Sequence, residues 1–168
     1  AVTFSEGGTG ALVATLGAGA NSITNSTTST AAQTITAGNG NNAIDVSGSS
    51  GVATITLGNG GVTGTHQTVV TGAGADVITV GTGFNDITAG AGADKITFAA
   101  HTAGNDKVIL AGATDTGANA SVASSTSVST TSMDIISGLV AGDKISVAGI
   151  AALTSLATGS LAVASNLA

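Results

Sequence analysis

Three consecutive nine-residue segments repeat one pattern without a gap: Gly72-Ala-Gly-Ala-Asp76-Val-Ile78-Thr-Val80, Gly81-Thr-Gly-Phe-Asn85-Asp-Ile87-Thr-Ala89 and Gly90-Ala-Gly-Ala-Asp94-Lys-Ile96-Thr-Phe98. A fourth copy, Thr102-Ala-Gly104-Asn-Asp106-Lys-Val108, follows a three-residue insertion. Gly-x-Gly makes a turn free of Cβ clashes, with bare carbonyls that can point at an ion. The x-Ile-Thr-x that follows is a short strand with alternate side chains inward. Nine residues supply only one turn and one strand, so two repeats close one coil of a flattened solenoid. Such a unit cannot bury its own apolar face, and stacking its neighbours does so. Parity then sends Ile78, Val80, Ile87, Ala89, Ile96 and Phe98 into the core and turns Val77, Thr79, Asp86, Thr88, Lys95 and Thr97 outward.

The same arithmetic assigns the turns to edges. Loops 72–76 and 90–94 fall on one edge, one coil apart, and loops 81–85 and 102–106 on the opposite edge. Weaker copies lie upstream, in Gly17-Ala-Gly19-Ala-Asn21-Ser-Ile23, in Gly38-Asn-Gly40-Asn-Asn-Ala-Ile44 and in Thr54-Ile-Thr-Leu-Gly58-Asn-Gly60. Read as one series, Gly-x-Gly turns start at 17, 38, 58, 72 and 90 on a single edge, with 26–31, 47–51 and 64–67 as the opposite turns. The 14-residue step from 58 to 72 is short for a full coil. The expected fold is all-β, an elongated parallel β-roll or β-solenoid of about five coils over 11–110 with a small C-terminal capping region. Residues 111–132, rich in Ser and Thr, read as a polar loop or linker. Residues 133–168 read as a cap or assembly segment, with two strands at Met133-Asp-Ile-Ile-Ser137 and Asp143-Lys-Ile-Ser-Val147. The stretch 149–168 fits either a short helix or an edge strand.

Composition excludes several function classes. Ala, Thr, Gly and Ser fill 102 of 168 positions, and Trp, Tyr, Pro, Cys and Arg are absent. A thick core of interlocked aromatic and aliphatic side chains is hard to assemble from this inventory, whereas a narrow repetitive one is not. Three Lys against nine acids give a formal charge of −6, which excludes nucleic-acid binding through clustered cations. Mean hydropathy is positive because of Ala, and nothing approaches an 18-residue run of large apolar side chains. The chain opens on Ala rather than Met and without a charged n-region, so it reads as a mature or excised segment. Without Cys, neither a disulfide framework nor a zinc–thiolate site can form.

No catalytic constellation is present. There is no Gly-x-Ser-x-Gly elbow and no Cys nucleophile, and Gly58-Asn-Gly-Gly-Val-Thr-Gly64 lacks the Lys of a phosphate-binding loop. His66 and His101 lie 35 residues apart with no carboxylate at metal-ligand spacing and read as surface-loop residues. Outward Thr pairs at 34/36 and 54/56 are similar to the faces of ice-binding solenoids, but the ranks break at Val77 and Lys95.

Residues 71–98 resemble the RTX nonapeptide, G-G-x-G-x-D-x-U-x with U a large aliphatic, of calcium-binding parallel β-roll proteins. The resemblance implies Ca²⁺ between stacked loops, held by backbone oxygens of the Gly-rich turns and by the sixth-position Asp of loops one coil apart. Carried onto this chain, the glycines are Gly72, Gly74, Gly81, Gly83, Gly90 and Gly92. The sixth positions are Asp76, Asn85 and Asp94, with Gly104 and Asp106 in the interrupted copy. Thr71, Val80 and Ala89 replace the first glycine, and Asn stands for Asp at 85 and in the upstream copies, at Asn21 and at Asn41 or Asn42. Residues 134–147 also resemble the stretch that often follows such repeats, with Leu139 where an aromatic is common.

Ion chemistry agrees with the resemblance. Ca²⁺ takes six to eight oxygens, carbonyls and carboxylates mixed, and Asp76 and Asp94 in adjacent coils repel unless a cation lies between them. Asx hydrogen bonds that cap turns are the simpler alternative. The expected function is a non-enzymatic, calcium-dependent structural module of the secreted cell surface. It would self-assemble as a homo-oligomer or polymer into an S-layer, filament or adhesin, with cell-surface polysaccharide as a further partner. The alternative is the calcium-triggered folding and secretion module of a larger enzyme or toxin exported by the type I route.

Overall fold

A computed structural model describes residues 3–6, 9–25, 27–61, 64–102, 105–110 and 134–147. Gly104, the linker expected over 111–132 and the ambiguous stretch 149–168 lie outside the described residues.

Every described element is a strand: β1 (Thr3–Glu6), β2 (Leu12–Leu16), β3 (Ser22–Asn25), β4 (Gln33–Ala37), β5 (Ala43–Asp45), β6 (Ala53–Leu57), β7 (Gln67–Val70), β8 (Val77–Val80), β9 (Asn85–Thr88), β10 (Lys95–Phe98), β11 (Lys107–Leu110), β12 (Ile135–Ser137) and β13 (Lys144–Val147). The odd strands form a seven-stranded sheet and the even strands a six-stranded one, each parallel and in chain order. Consecutive strands therefore alternate between two facing sheets, which makes the chain a parallel β-solenoid. The β-solenoid expected over 11–110 is present in strands β2 to β11, and the coil count differs slightly from the five expected. Strands β12 and β13 add a further coil to the same two sheets. No helix among the described residues is long and apolar enough to cross a membrane.

Register explains why so few large side chains suffice. In one sheet Ile35, Ile55, Ile78, Ile96 and Ile136 stand over one another. In the other, Ile23, Ile44, Val69, Ile87, Val108 and Ile145 do the same. Each β-branched side chain meets another Ile or Val one rung away, so similar shapes pack repeatedly at the spacing of the backbone ladder. Ile35, Ile55, Ile78, Ile87 and Ile96 are fully buried, each contributing about 1.5–3 kcal/mol by removal from water. The six residues assigned inward in 76–98 are all buried, and the outward set is exposed or half-buried.

The edge assignment of the upstream turns needs correction. Turns 17–21, 38–42, 58–66, 81–84 and 99–106 lie on one edge, because each leads from the six-stranded to the seven-stranded sheet. Turns 26–32, 46–52, 71–76 and 89–94 lie on the other. Loops 72–76 and 90–94 therefore stack on 47–51 and not on the turn at 58, and 64–67 is no separate turn. The short step from 58 to 72 was half a coil, hidden by a long β6–β7 connection. Contacts fix the new register. A Cβ on Gly72 would strike Ser49 O, and one on Gly83, at φ +118°, would strike Gly60 O.

Candidate functional site

The sixth-position residues do not ring the outside of the turns. They turn inward at the two corners where turn meets strand, and all are buried: Asp76, Asn85, Asp94 and Asp106. Each precedes or opens a strand, so parallel register stacks it on its counterpart in the next coil. Two polar columns result, one on each side of the isoleucine core.

The first column runs Asn21, Asn42, Gln67, Asn85, Asp106, Asp143. Asn21 Nδ2 donates to Asn42 Oδ1 (2.9 Å), Asn42 Nδ2 to Gln67 Oε1 (2.9 Å), Gln67 Nε2 to Asn85 Oδ1 (3.1 Å) and Asn85 Nδ2 to Asp106 Oδ1 (2.8 Å). Every link points the same way, and the chain of amides ends on a carboxylate, which only accepts. The amides also close their own turns. Asn21 Nδ2 donates to Gly17 O and Gly19 O, Asn42 Nδ2 to Gly38 O and Gly40 O, and Asn85 Nδ2 to Gly81 O. Of the two upstream candidates, Asn42 belongs to the column, while Asn41 accepts from Gly61 N (2.7 Å).

The second column holds Gln33, Ala53, Asp76, Asp94 and Asp134. Here the side-chain oxygens accept backbone N–H groups from the coil before: Ala53 N to Asp76 Oδ1 (2.7 Å), Asp76 N to Asp94 Oδ1 (2.8 Å) and Asp94 N to Asp134 Oδ1 (2.9 Å). These bonds run between coils, unlike the local Asx cap. The turns 72–76 and 90–94 share the Gly-x-Gly spacing of 17–21, but carboxylates replace the amides that serve the turn carbonyls there. Asp76 Oδ2 is buried without a hydrogen bond within geometric limits. Burial pushes the Asp76 carboxyl up from the ordinary carboxylate range, against the pull of Ala53 N–H and the Thr71 hydroxyl. At a rung spacing of about 4.8 Å, two neighbouring charged carboxylates repel by about 3.5 kcal/mol at an effective dielectric of about 20. Protons or a cation must relieve that repulsion. Carboxylate and carbonyl oxygens are the ligands Ca²⁺ takes, so the donor set of this corner fits that ion.

Both histidines depart from the surface-loop reading. His66 Nδ1 lies 2.9 Å from Asp86 Oδ1 and its ring is tilted against Phe84. The His101 side chain is 7% exposed and meets two buried carboxylates, Asp143 Oδ2 at 3.0 Å and Asp106 Oδ2 at 3.3 Å. Asp86 and Asp143 come from neighbouring coils, 20 and 42 residues away, where linear ligand spacing carries no information, whereas Asp106 lies five residues beyond His101 in the same connection. Desolvation alone would lower the His101 pKa, but the Ala99 carbonyl together with Asp143 and Asp106 raises it. Burial raises the Asp106 carboxyl, with Asn85 and His101 opposing. Asp86 stacks beside Lys107 in register.

Gln33, Gln67, Asp134 and Asp143 went unrecognised as column members. Their signal was present: each is polar at an inward position whose counterparts are the Asn and Asp of the clearer repeats.

No protein-family model, curated protein or solved structure matches the chain.

Proposed function

We propose that this chain is a calcium-dependent structural module of a secreted, cell-surface protein, in which Ca²⁺ binds along the Asp76–Asp94 corner and stiffens a solenoid that self-assembles. One observation carries the reading: where the amide column closes its own turns with N–H donors, the opposite corner has buried carboxylates in turns of the same spacing. Gly72, Gly74, Gly90 and Gly92 supply the backbone oxygens in this proposal, with Asp76 and Asp94 as carboxylate ligands. At the other corner the Asn85 amide already serves Gly81 O and Asp106. A calcium site there, with Gly81, Gly83, Asn85, Gly104 and Asp106, is secondary.

Assembly is supported by the sheet ends. Among the described residues, β2 and β12 pair on one side only within their sheet, and an unpaired strand edge invites another chain. The outer face of the six-stranded sheet exposes Thr34, Thr36, Thr54, Thr56 and Thr79 beside Val13, Val77, Lys95 and Ile135. Such a face suits close packing against copies of the same chain or against surface polysaccharide. The reading is non-catalytic.

Circular dichroism and light scattering, in millimolar Ca²⁺ and then in excess chelator, test it. The expected result is loss of β signal or of assemblies on chelation and their return with calcium. An unchanged spectrum and unchanged particle size remove calcium from the function.

A further inference from the structure

The amide column ends at a cluster that shares only Asp106 with the secondary calcium site. His101, in the connection from β10 to β11, reaches across to the next coil, where Asp143 precedes β13. Asp106 stands directly below Asp143 in the column. One nitrogen or oxygen from each of the three residues lies within 4.8 Å of the others, and the side chains of Asp106 and Asp143 are 1% and 0% exposed.

The hydrogen bonds around the cluster fix what its inner atoms can be. His101 Nδ1 is 2.8 Å from Ala99 O. A carbonyl only accepts, so Nδ1 carries the proton and donates. The neutral ring then presents a bare lone pair at Nε2 to Asp143 Oδ2 and Asp106 Oδ2. The outer carboxylate oxygens are already held by the fold: Asp106 N donates to Asp143 Oδ1 (3.0 Å), and Asn85 N and Nδ2 donate to Asp106 Oδ1 (3.0 and 2.8 Å). Val140 N steadies Asp143 Oδ2 (2.8 Å). Asp106 Oδ2 is buried and receives no hydrogen bond. Three acceptor atoms therefore converge on one point, and a proton or a cation must sit among them, as a proton on the imidazole or on a carboxylate, or as a metal ion.

We propose that His101 Nε2, Asp106 Oδ2 and Asp143 Oδ2 bind a divalent transition metal of the zinc class, which staples the last two coils together. Geometry and ligand type agree. Zinc bonds of about 2.0 Å in a tetrahedral shell separate ligand atoms by about 3.3 Å, close to the 3.0 and 3.3 Å from Nε2 to the two oxygens. Imidazole nitrogen suits zinc, cobalt and nickel, whereas Ca²⁺ takes oxygen. The Nδ1–H bond to Ala99 O is the outer contact that orients a metal-binding imidazole. A surface depression lined by Thr82, Gly83, Ala100, His101, Thr102 and Asn105 gives the ion a way in.

The test uses the full chain, stripped of metal and returned to excess Ca²⁺, titrated with Zn²⁺ by calorimetry and with Co²⁺ by visible absorption near neutral pH. One equivalent of Zn²⁺ and an intense low-coordinate Co²⁺ band are expected. His101→Gln and Asp143→Asn should each weaken binding at least about a hundredfold, while Asp76→Asn binds zinc as the parent does. Imidazole ¹⁵N shifts of the unmutated chain give a readout free of folding artefacts: Zn²⁺ should move the Nε2 resonance of His101 and leave Nδ1 protonated. A ring protonated on both nitrogens that ignores Zn²⁺, or zinc binding that His101→Gln leaves intact, overturns the proposal.

Discussion

Replacing Asp76 by Asn asks whether the carboxylate corner requires a cation. The amide column supplies the template, since Asn42 accepts through Oδ1 from the preceding coil and donates through Nδ2 to the carbonyls of its own turn, Gly38 O and Gly40 O. An Asn at 76 can keep the bond from Ala53 N and add donors toward Gly72 O and Gly74 O. Two such bonds contribute about 2 kcal/mol, and loss of the Asp76–Asp94 repulsion adds to that. In chelator the variant should therefore melt about 4–8 °C above the parent. In saturating calcium the parent recovers the binding free energy, about 2.7 kcal/mol at a hundred times Kd. Its calcium-induced shift of about 5–11 °C should shrink in the variant. The sign of the pH effect follows from the raised Asp76 pKa. A carboxyl raised in the folded state stabilises below its unfolded pKa and loses that contribution as pH rises through the folded value. The metal-free parent should then weaken from acid toward neutral pH, and the variant should weaken less. Scanning calorimetry across pH with and without calcium measures all three. A variant that melts lower in chelator, with its calcium shift intact, would refute the reasoning.

The converse change, Asn42→Asp, sets a carboxylate against Gly38 O, Gly40 O and Gln67 Oε1. It should cost about 2–4 kcal/mol by urea unfolding, part of which calcium restores. Gly83→Ala places a Cβ against Gly60 O at a positive φ and should cost about 1–3 kcal/mol, seen as a lower thermal midpoint. Ile55→Ala opens a gap in the isoleucine stack of a fully buried residue and should lower stability by about 2–5 kcal/mol with an unchanged m-value.

Much of the fold was legible because the repeat couples composition to geometry. Ile78, Ile87 and Ile96 sit nine residues apart in sequence, and strand parity left them one place to go. The slip at 58–72 shows the limit. Where the β6–β7 connection lengthens, turn motifs on opposite edges look alike, and only the pairing of β6 with β8 tells them apart. Asp76 and Asp94 were recognisable as candidate ligands from their place in the motif. Their inward orientation, with Oδ1 bound to the coil before, was not, because that hydrogen bond joins residues 18 to 23 positions apart.

The sequence by itself determined the strand–turn alternation, the inward and outward faces, and the stacking of 72–76 on 90–94, all of which depend on neighbours within one or two repeats. Tertiary structure alone decided which polar residues share a column, which corner carries amides and which carboxylates, and that His101 meets Asp143. Those contacts run perpendicular to the chain, between coils whose spacing in sequence varies with every insertion, so their partners are set by register in space and not by distance along the polypeptide.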